Sequence, residues 1–413
     1  MNILVKNKYF RRFAIAQLLS GAGDSLFYLA LITYASNLSN YSLALSLIAI
    51  SEALPKALNV LGGYYADKTT HKLKAVINLN LIRFGFYLIV TLLFLTHLIP
   101  WYLVIISIFI NLISDSLGAY STGLQLPLIV NLVNEDEVSE AAGVTNGFSE
   151  AITVIAQFIG SGLLLFISYA GIAFINALTF LLAAILFFSL RKNYKLNKIH
   201  SSLDTNNENN FITTFKTSFS QLRKSNGLLS TVLLLAALNG IIGSIEPLLS
   251  IVVAANKNSM IIGTYSLTIT LISGAISVGI IIGSIFGPQL FKKQSVFALS
   301  ACALLINICV FITIFFKNII FCLICLILLG LFIGTISPKM MQQFVEAVDS
   351  SLLASTMGAL NSILVISAPI MVSVLTTISG LANVNIALCI IFALDIILLI
   401  FTSHFLFQKS NTH

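Results

Sequence analysis

Charged residues are scarce in this sequence. Asp, Glu, Lys and Arg make up 9% of its 413 residues, while hydrophobic residues make up 58%. A soluble domain carries about 25% charged residues. With so few charges the chain cannot cover a folded surface with polar groups, so its solvent must be mostly lipid. The composition therefore excludes a soluble globular protein and predicts a membrane protein.

The residues that most enzyme and metal sites need are also few. The five histidines lie in loops or near the chain ends: His71, His97, His200, His404 and His413. The apolar segments contain no G-x-x-x-x-G-K-[ST] loop, no H-E-x-x-H and no suitable Ser/His pair. All five cysteines lie in apolar stretches, and Cys322-x-x-Cys325 has no second pair of ligands. We therefore expect no enzymatic activity, no cofactor and no metal site.

Apolar segments of membrane-spanning length recur twelve times. About 20 apolar residues span a bilayer as a helix. The first six segments are 13–36, 42–66, 74–96, 101–124, 141–167 and 170–190. The last six are 227–254, 260–287, 295–316, 318–337, 353–379 and 384–407. The sequence thus predicts an all-α membrane protein with twelve transmembrane helices in two six-helix halves.

A polar stretch separates these two halves. It divides the chain into an N-terminal half, residues 1–190, a cytoplasmic linker, residues 191–225, and a C-terminal half, residues 226–413. In the linker, an apolar stripe at helical spacing consists of Phe211, Phe215, Phe219 and Leu222. This spacing predicts an amphipathic helix on the inner membrane surface. Pro127 and Pro338 follow the fourth and tenth segments, so the two halves also correspond there.

The basic residues sort by loop, which argues against a nucleic-acid-binding patch despite the net charge of +7. If both chain ends are cytoplasmic, the cytoplasmic segments hold 18 Lys and Arg residues, and the external loops hold only Lys257 and Lys317. The positive-inside rule therefore predicts that both termini are cytoplasmic. The first apolar run passes residue 30 without a small-residue cleavage site, so we expect it to remain in the protein.

We single out seven ionisable residues inside the apolar segments. Five are acidic and two are basic: Asp24, Glu52, Asp115, Glu150, Glu246, Lys56 and Arg83. A charge at bilayer depth is costly and usually faces a cavity or a partner. These seven residues are therefore the candidates for proton coupling or substrate binding. The alternative for each is an ion pair or hydrogen bond that only fixes the packing.

Helix geometry places two of these residues near the middle of the membrane. Asp24 lies 12 residues beyond Arg12, or about 18 Å along a helix. A carboxylate at this depth can load and release a proton during a transport cycle, so Asp24 is the main coupling candidate. Lys56 lies at a similar depth, and Glu52 precedes it by four residues, so the two side chains can share one helix face.

Arg83 has no acidic residue one turn away on its own helix. It therefore needs a partner from another helix, and Asp24 and Asp115 are the candidates. In the second half, Glu246 precedes Pro247, where we expect a kink. Glu246 is therefore the main candidate of the C-terminal half.

A short motif follows the second segment. The stretch GYYADKTTHK at 63–72 resembles the signature of the major facilitator superfamily, in which a Gly is followed by an Asp and then by basic residues. Charges at helix ends can pair across helices or with the helix dipole. The resemblance implies a cytoplasmic gating motif formed by Gly63, Asp67, Lys68 and Lys72. Thr70 and His71 depart from it, since the family usually has Gly and Arg there.

Three further stretches resemble the macrolide-efflux and enterobactin-exporter branch of the drug:H+ antiporters. They are Gln17-x-x-Ser20-x-x-Gly23-Asp24, the region from Pro127 through 134–143, and residues 222–228. This resemblance implies two six-helix halves that rock about a central cavity. The chain departs from the pattern at Asn111, where many proton-coupled members have an Arg. It departs again at Ala156-Gln157, where antiporters tend to have Gly-Pro.

The leading prediction is a proton-coupled secondary transporter that exports amphipathic, drug-like small molecules by alternating access. Its partners are then a small-molecule substrate, protons and the lipid bilayer. We expect a monomer in the plasma membrane of a bacterial cell. The alternative is a carrier of lysophospholipids or siderophores, in which Lys56 and Arg83 bind an anionic group. A third, less favoured alternative is a membrane receptor that transports nothing.

Overall fold

The computed structural model describes residues 2–67, 69–96, 98–134, 137–191, 228–347 and 353–410. Within these residues the regular structure is helical and no strand occurs. This confirms the predicted all-α fold class. The amphipathic helix predicted in the linker lies outside the described residues.

The chain divides into two compact units, Met1–Leu203 and Asp204–His413. The helices of the N-terminal unit are α1 Asn2–Lys6, α2 Lys8–Ala35, α3 Tyr41–Asp67, α4 Lys72–Leu95, α5 Pro100–Leu132, α6 Val138–Leu163 and α7 Tyr169–Ser189. Those of the C-terminal unit are α8 Leu228–Ala255, α9 Lys257–Met260, α10 Tyr265–Leu290, α11 Val296–Phe315, α12 Ile319–Ala347, α13 Leu353–Leu381 and α14 Val384–Ser410. Each unit thus contains six long helices within the described ranges.

Eleven of these helices are long and apolar enough to cross a membrane, judged on the residues that the structure describes fully. Their apolar side chains are not all inside the protein. On α4, for example, Ile89, Leu92 and Leu95 are 49%, 62% and 67% exposed. A helix that leaves such a face uncovered by protein is suited to contact with lipid.

Two helices continue past the prolines at which we expected them to end. The fourth segment, predicted to end at residue 124, runs through Pro127 to Leu132, and the tenth runs through Pro338 to Ala347. A proline removes one backbone hydrogen bond, but neighbouring groups can satisfy the freed carbonyl. The prediction that these prolines lie beyond the helix ends is therefore wrong.

The N-terminal unit is built around α2. This helix packs against α6 and α7, while α4 packs against α7 and α3 against α5. A core of large apolar side chains at one end of the unit includes Phe10, Phe13, Leu73 and Phe187. The edge of the Phe13 ring meets the Phe187 ring at a centroid distance of 5.7 Å. These contacts hold α2, α4, α5 and α7 around a shared interior.

In the C-terminal unit, α10 and α12 approach each other more closely than side chains would allow. A Cβ atom on Gly283 would overlap the backbone of Leu331. The gap is also bridged by the Thr335 hydroxyl, which donates to the Gly283 carbonyl at 3.2 Å. Small residues at helix contacts permit this separation in membrane proteins.

Replacing Gly283 by Ala should therefore force the two backbones apart. We expect Gly283→Ala to destabilise the protein by about 1–3 kcal/mol, the usual cost of overpacking. Thermal melting of the purified protein in detergent measures this loss. Gly85→Ala is the control, because a Cβ on Gly85 in α4 would meet nothing within 4 Å. Equal melting temperatures of the two variants would show that the close approach contributes nothing.

Candidate functional site

An arginine of the N-terminal unit lies between two carboxylates from neighbouring helices. Arg83 on α4 is 5% exposed. Its Nη2 donates to Asp24 Oδ2 on α2 at 2.7 Å and to Asp115 Oδ1 on α5 at 3.4 Å. The predicted partners of Arg83 are thus both found, and one guanidinium nitrogen joins three helices.

The other atoms of the Arg83 guanidinium group also have contacts within the protein. Its Nε donates to Ser114 Oγ at 2.9 Å and its Nη1 donates to Ser20 Oγ at 3.4 Å. Its Cζ lies 4.1 Å from the centre of the Phe180 ring, a cation–π arrangement. A Cβ at Gly118 would lie 3.2 Å from Nη1, so glycine leaves room for the group there. Arg83 therefore has a single, well-defined orientation.

Asn111 connects a third carboxylate, that of Glu52, to the cluster around Arg83. Asn111 Nδ2 donates to both Glu52 Oε1 and Asp115 Oδ2 at 2.8 Å. Its Oδ1 accepts a hydrogen bond from the Tyr87 hydroxyl at 2.6 Å. Because Tyr87 fixes which way the amide points, the NH2 group faces the two carboxylates. Asp115 thus belongs to both the Arg83 and the Asn111 contacts.

The predicted pairing of Glu52 with Lys56 is looser than their spacing on α3 indicated. No ion pair within 4 Å joins Lys56 to another described residue. Lys56 is exposed, and it acts on Glu52 and Asp115 only through longer-range electrostatic interactions. The close partner of Glu52 is Asn111 instead, so the lysine head group remains available to a ligand.

These charged side chains line one open cavity of about 380 Å³ within the N-terminal unit. The lining includes Asp24, Glu52, Lys56, Arg83 and Asp115. The Asp24 and Asp115 side chains are 31% and 17% exposed, so water and small ligands reach them. Within the described ranges no group of three His, Cys, Asp or Glu side chains could hold a metal ion. The charged lining can bind polar groups of a small organic ligand.

The remaining predicted acidic residues lie elsewhere. Glu150 is exposed on α6 and is not part of the cavity lining. Glu246 is half-buried on α8, in the C-terminal unit. Neither residue joins the cluster around Arg83, so the structure brings together five of the seven predicted candidates.

The expected gating motif lies partly on a helix rather than in a loop. Gly63 and Asp67 belong to the last turns of α3, and Lys68 lies outside the described residues. Lys72 Nζ donates to the Ala66 carbonyl at 2.6 Å. A cation at this position satisfies a free carbonyl and complements the negative end of the helix dipole. Lys72 thus caps α3 and fixes the start of α4 beside it.

A second lysine caps the corresponding helix of the C-terminal unit. Lys339 on α12 donates to the carbonyls of Phe291 and Gln294, the latter at 2.6 Å, just beyond the end of α10. Sequence reasoning assigned no role to Lys339. Its signal was weak, because a single lysine in a cytoplasmic segment is equally well explained by the positive-inside rule.

Sequence reasoning also missed three residues that position the cluster and one separate acid. Tyr87, Ser114 and Phe180 orient Asn111 and Arg83 through the contacts above, and nothing in their spacing distinguishes them from packing residues. The missed acid is Asp395, which is fully buried on α14. It had a clear signal, since it is a single carboxylate within a long apolar run.

Removing the arginine should leave the two carboxylates uncompensated. We expect Arg83→Met to destabilise the protein by about 1.5–3 kcal/mol, the usual value of hydrogen bonds to charged groups, because water in the cavity partly solvates the carboxylates. Adding Asp24→Asn to that variant should recover part of the loss, because it removes one unpaired charge. Melting temperatures in detergent test this, with Arg11→Met at an exposed position as the control. Strictly additive losses from the two substitutions would contradict the pairing.

Comparison with known proteins identifies a family and several structures with a similar fold. The family model of the Major Facilitator Superfamily matches residues 13–372. No protein with a curated description matches the sequence. At identities of 13%, the solved structures below show similarity of fold alone.

Three of these structures are transporters. The nucleoside transporter NupG has a TM-score of 0.64, and the alignment covers 96% of this chain and 98% of that chain. The peptide transporter POT in complex with sulfate has a TM-score of 0.69, with 96% and 95% covered. A bacterial homologue of the human lysosomal transporter Spinster, inward-facing and unoccupied, has a TM-score of 0.67, with 98% of both chains covered.

The family match spans most of the chain, and it agrees with a fold of two units that each contain six long helices in the described ranges. The charged cavity in the N-terminal unit is a feature that a carrier of small molecules needs. The chain therefore belongs to the major facilitator superfamily, and it is a multi-pass membrane protein and a secondary transporter of small molecules.

Proposed function

We propose that this transporter is proton-coupled and exports amphipathic small molecules, with the cavity of the N-terminal unit as the site where protons and substrate act on each other. The observation that carries the proposal is an imbalance of charge. Three carboxylates, Asp24, Glu52 and Asp115, share one hydrogen-bonded cluster with a single buried cation, Arg83, and Asn111 connects Glu52 to it. Such groups at membrane depth are expensive to keep unless they act in transport.

The geometry favours Glu52 and Asp115 over Asp24 as the groups that carry the proton. Asp24 makes the short ion pair with Arg83, so its charge is already balanced. Asp115 is further from Arg83, at 3.4 Å, and Glu52 makes no ion pair within 4 Å with a described cation. Two carboxylates that face the same amide repel each other when both are ionised. One proton shared by Glu52 and Asp115 removes this repulsion.

Arg83 connects the protonation of Glu52 and Asp115 to the contacts between helices. When Glu52 and Asp115 lose the proton, the extra negative charge competes with Asp24 for the guanidinium group. Since Asp24 and Asp115 lie on different helices, this competition changes the attraction between α2 and α5. A substrate that enters the cavity meets the same groups, so proton loss and substrate binding influence each other. Alternating access requires such a dependence.

One specific observation favours the alternative, a carrier of lysophospholipids or siderophores. Lys56 is exposed in the cavity, and within the described part of the chain no carboxylate lies within 4 Å of it. A lysine in this position can bind an anionic head group as a point charge. The two functions therefore differ in what Lys56 contacts.

Replacing Glu52 by Gln mimics permanent protonation. We expect Glu52→Gln to abolish flux driven by a pH gradient in proteoliposomes, while exchange of labelled for unlabelled substrate continues. Exchange needs no net proton movement, so it also shows that the variant is folded. The panel of substrates is a macrolide, a cationic dye, a siderophore and a lysolipid.

The matched control is Glu140→Gln, the same substitution at an exposed position in the first turn of α6. It should transport as the unmodified protein does. Unchanged pH-driven flux in Glu52→Gln would remove this carboxylate from coupling.

Lys56→Gln separates the two substrate classes. In an exporter of cationic or neutral amphipathic molecules, this substitution should leave dye transport unchanged. In a carrier of anionic lipids or siderophores, it should abolish transport of the anionic substrates alone, because their head group loses its cation. Initial rates for a dye and a lysolipid in the same proteoliposomes decide the question. Loss of dye transport with intact lysolipid transport would contradict the assignment of Lys56 to an anionic group.

A further inference from the structure

The C-terminal unit contains a buried acid that the proposed function does not use. Asp395 on α14 is 0% exposed, and Asn307 on α11 is 2% exposed. Asn307 Nδ2 donates to Asp395 Oδ2 at 2.8 Å. The pair therefore connects two long helices that pack against each other.

Among the described residues, no cation forms an ion pair with Asp395 within 4 Å. Asp395 is shielded from solvent, and its side chain forms a hydrogen bond with Asn307. The helices that pack against α14 are α8, α11 and α13, and their titratable residues are Glu246 on α8 and Cys302 and Cys309 on α11. On α14 itself, Cys389 and His404 complete the set within the side chains that the structure describes. An ionised carboxylate in such surroundings, with no cation against it, is strongly disfavoured.

Two oxygens of the pair are left over. Asp395 Oδ1 and Asn307 Oδ1 are both buried, and neither has a hydrogen-bond partner among the described residues. Both are acceptors when the acid is ionised, so they cannot bond to each other. One proton on Asp395 Oδ1 converts it into a donor and gives Asn307 Oδ1 the partner that a buried oxygen requires.

We propose that Asp395 and Asn307 form a proton-binding site. Asp395 is protonated on Oδ1, and this hydroxyl group donates a hydrogen bond to the side-chain carbonyl oxygen of Asn307. Acid and amide then exchange two hydrogen bonds and fasten α14 to α11. The site is sealed from water, so this proton stays with the protein and is not the one that is transported. The inference goes beyond the proposed function and does not depend on it.

Infrared difference spectroscopy of the full-length protein at neutral pH tests this directly. The spectrum of Asp395→Asn is subtracted from that of the unmodified protein, so the other carboxyl groups cancel. We expect the difference to contain the carbonyl stretch of one protonated carboxylic acid. The carboxylate bands of an ionised Asp395 in its place would overturn the proposal.

Thermal melting of a swapped pair gives a second, independent test. Asp395→Asn keeps two polar side chains without a charge, so it should fold, melt close to the unmodified protein and transport at the same rate. Asn307→Asp places two acids together and should melt lower, while the double variant restores an acid–amide pair and should recover. If Asp395→Asn fails to fold, or the double variant does not recover, the proposal is wrong. None of these outcomes depends on whether Glu52 couples protons to transport.

Discussion

Arg83 places a permanent positive charge in the interior of a helix bundle that is otherwise mostly apolar. A guanidinium group keeps its proton under all ordinary conditions, so burial cannot neutralise it. The bundle must therefore supply negative charge and hydrogen-bond acceptors around it. Asp24, Asp115, Ser20 and Ser114 do so from α2 and α5. The positions of three helices follow from satisfying this single group.

The two units contain the same number of long helices in the described ranges. The contacts that join helices inside each unit are different. In the N-terminal unit, α2, α4 and α5 are joined by charges and hydrogen bonds that open on a cavity. In the C-terminal unit, α10 and α12 are joined by backbone contact at glycines, and α11 and α14 by one buried acid and one amide. Charges that open on water can exchange protons, whereas sealed contacts cannot. This difference supports the proposal that coupling takes place in the N-terminal unit.

Much of the fold was predictable because lipid imposes a simple rule on sequence. A segment that crosses a bilayer must be apolar over about 20 residues, and this signal needs no knowledge of neighbours. Helix ends were less predictable at Pro127 and Pro338. A proline usually ends or kinks a helix, whereas both of these helices continue through theirs. The partners of Arg83 were predictable for a similar reason, since few carboxylates lie at its depth.

The membrane environment, the long helices and the ionisable residues within them follow from composition and local periodicity, so they can be inferred from the sequence. How those residues contact one another depends on the packing of the helices. Asn111 serves both Glu52 and Asp115, and Lys56 stays out of close contact with Glu52 despite their spacing. Such choices depend on distances of a few ångströms between helices that are far apart in the chain. Hydrogen bonds weaken steeply over such distances, so packing decides which pairs form.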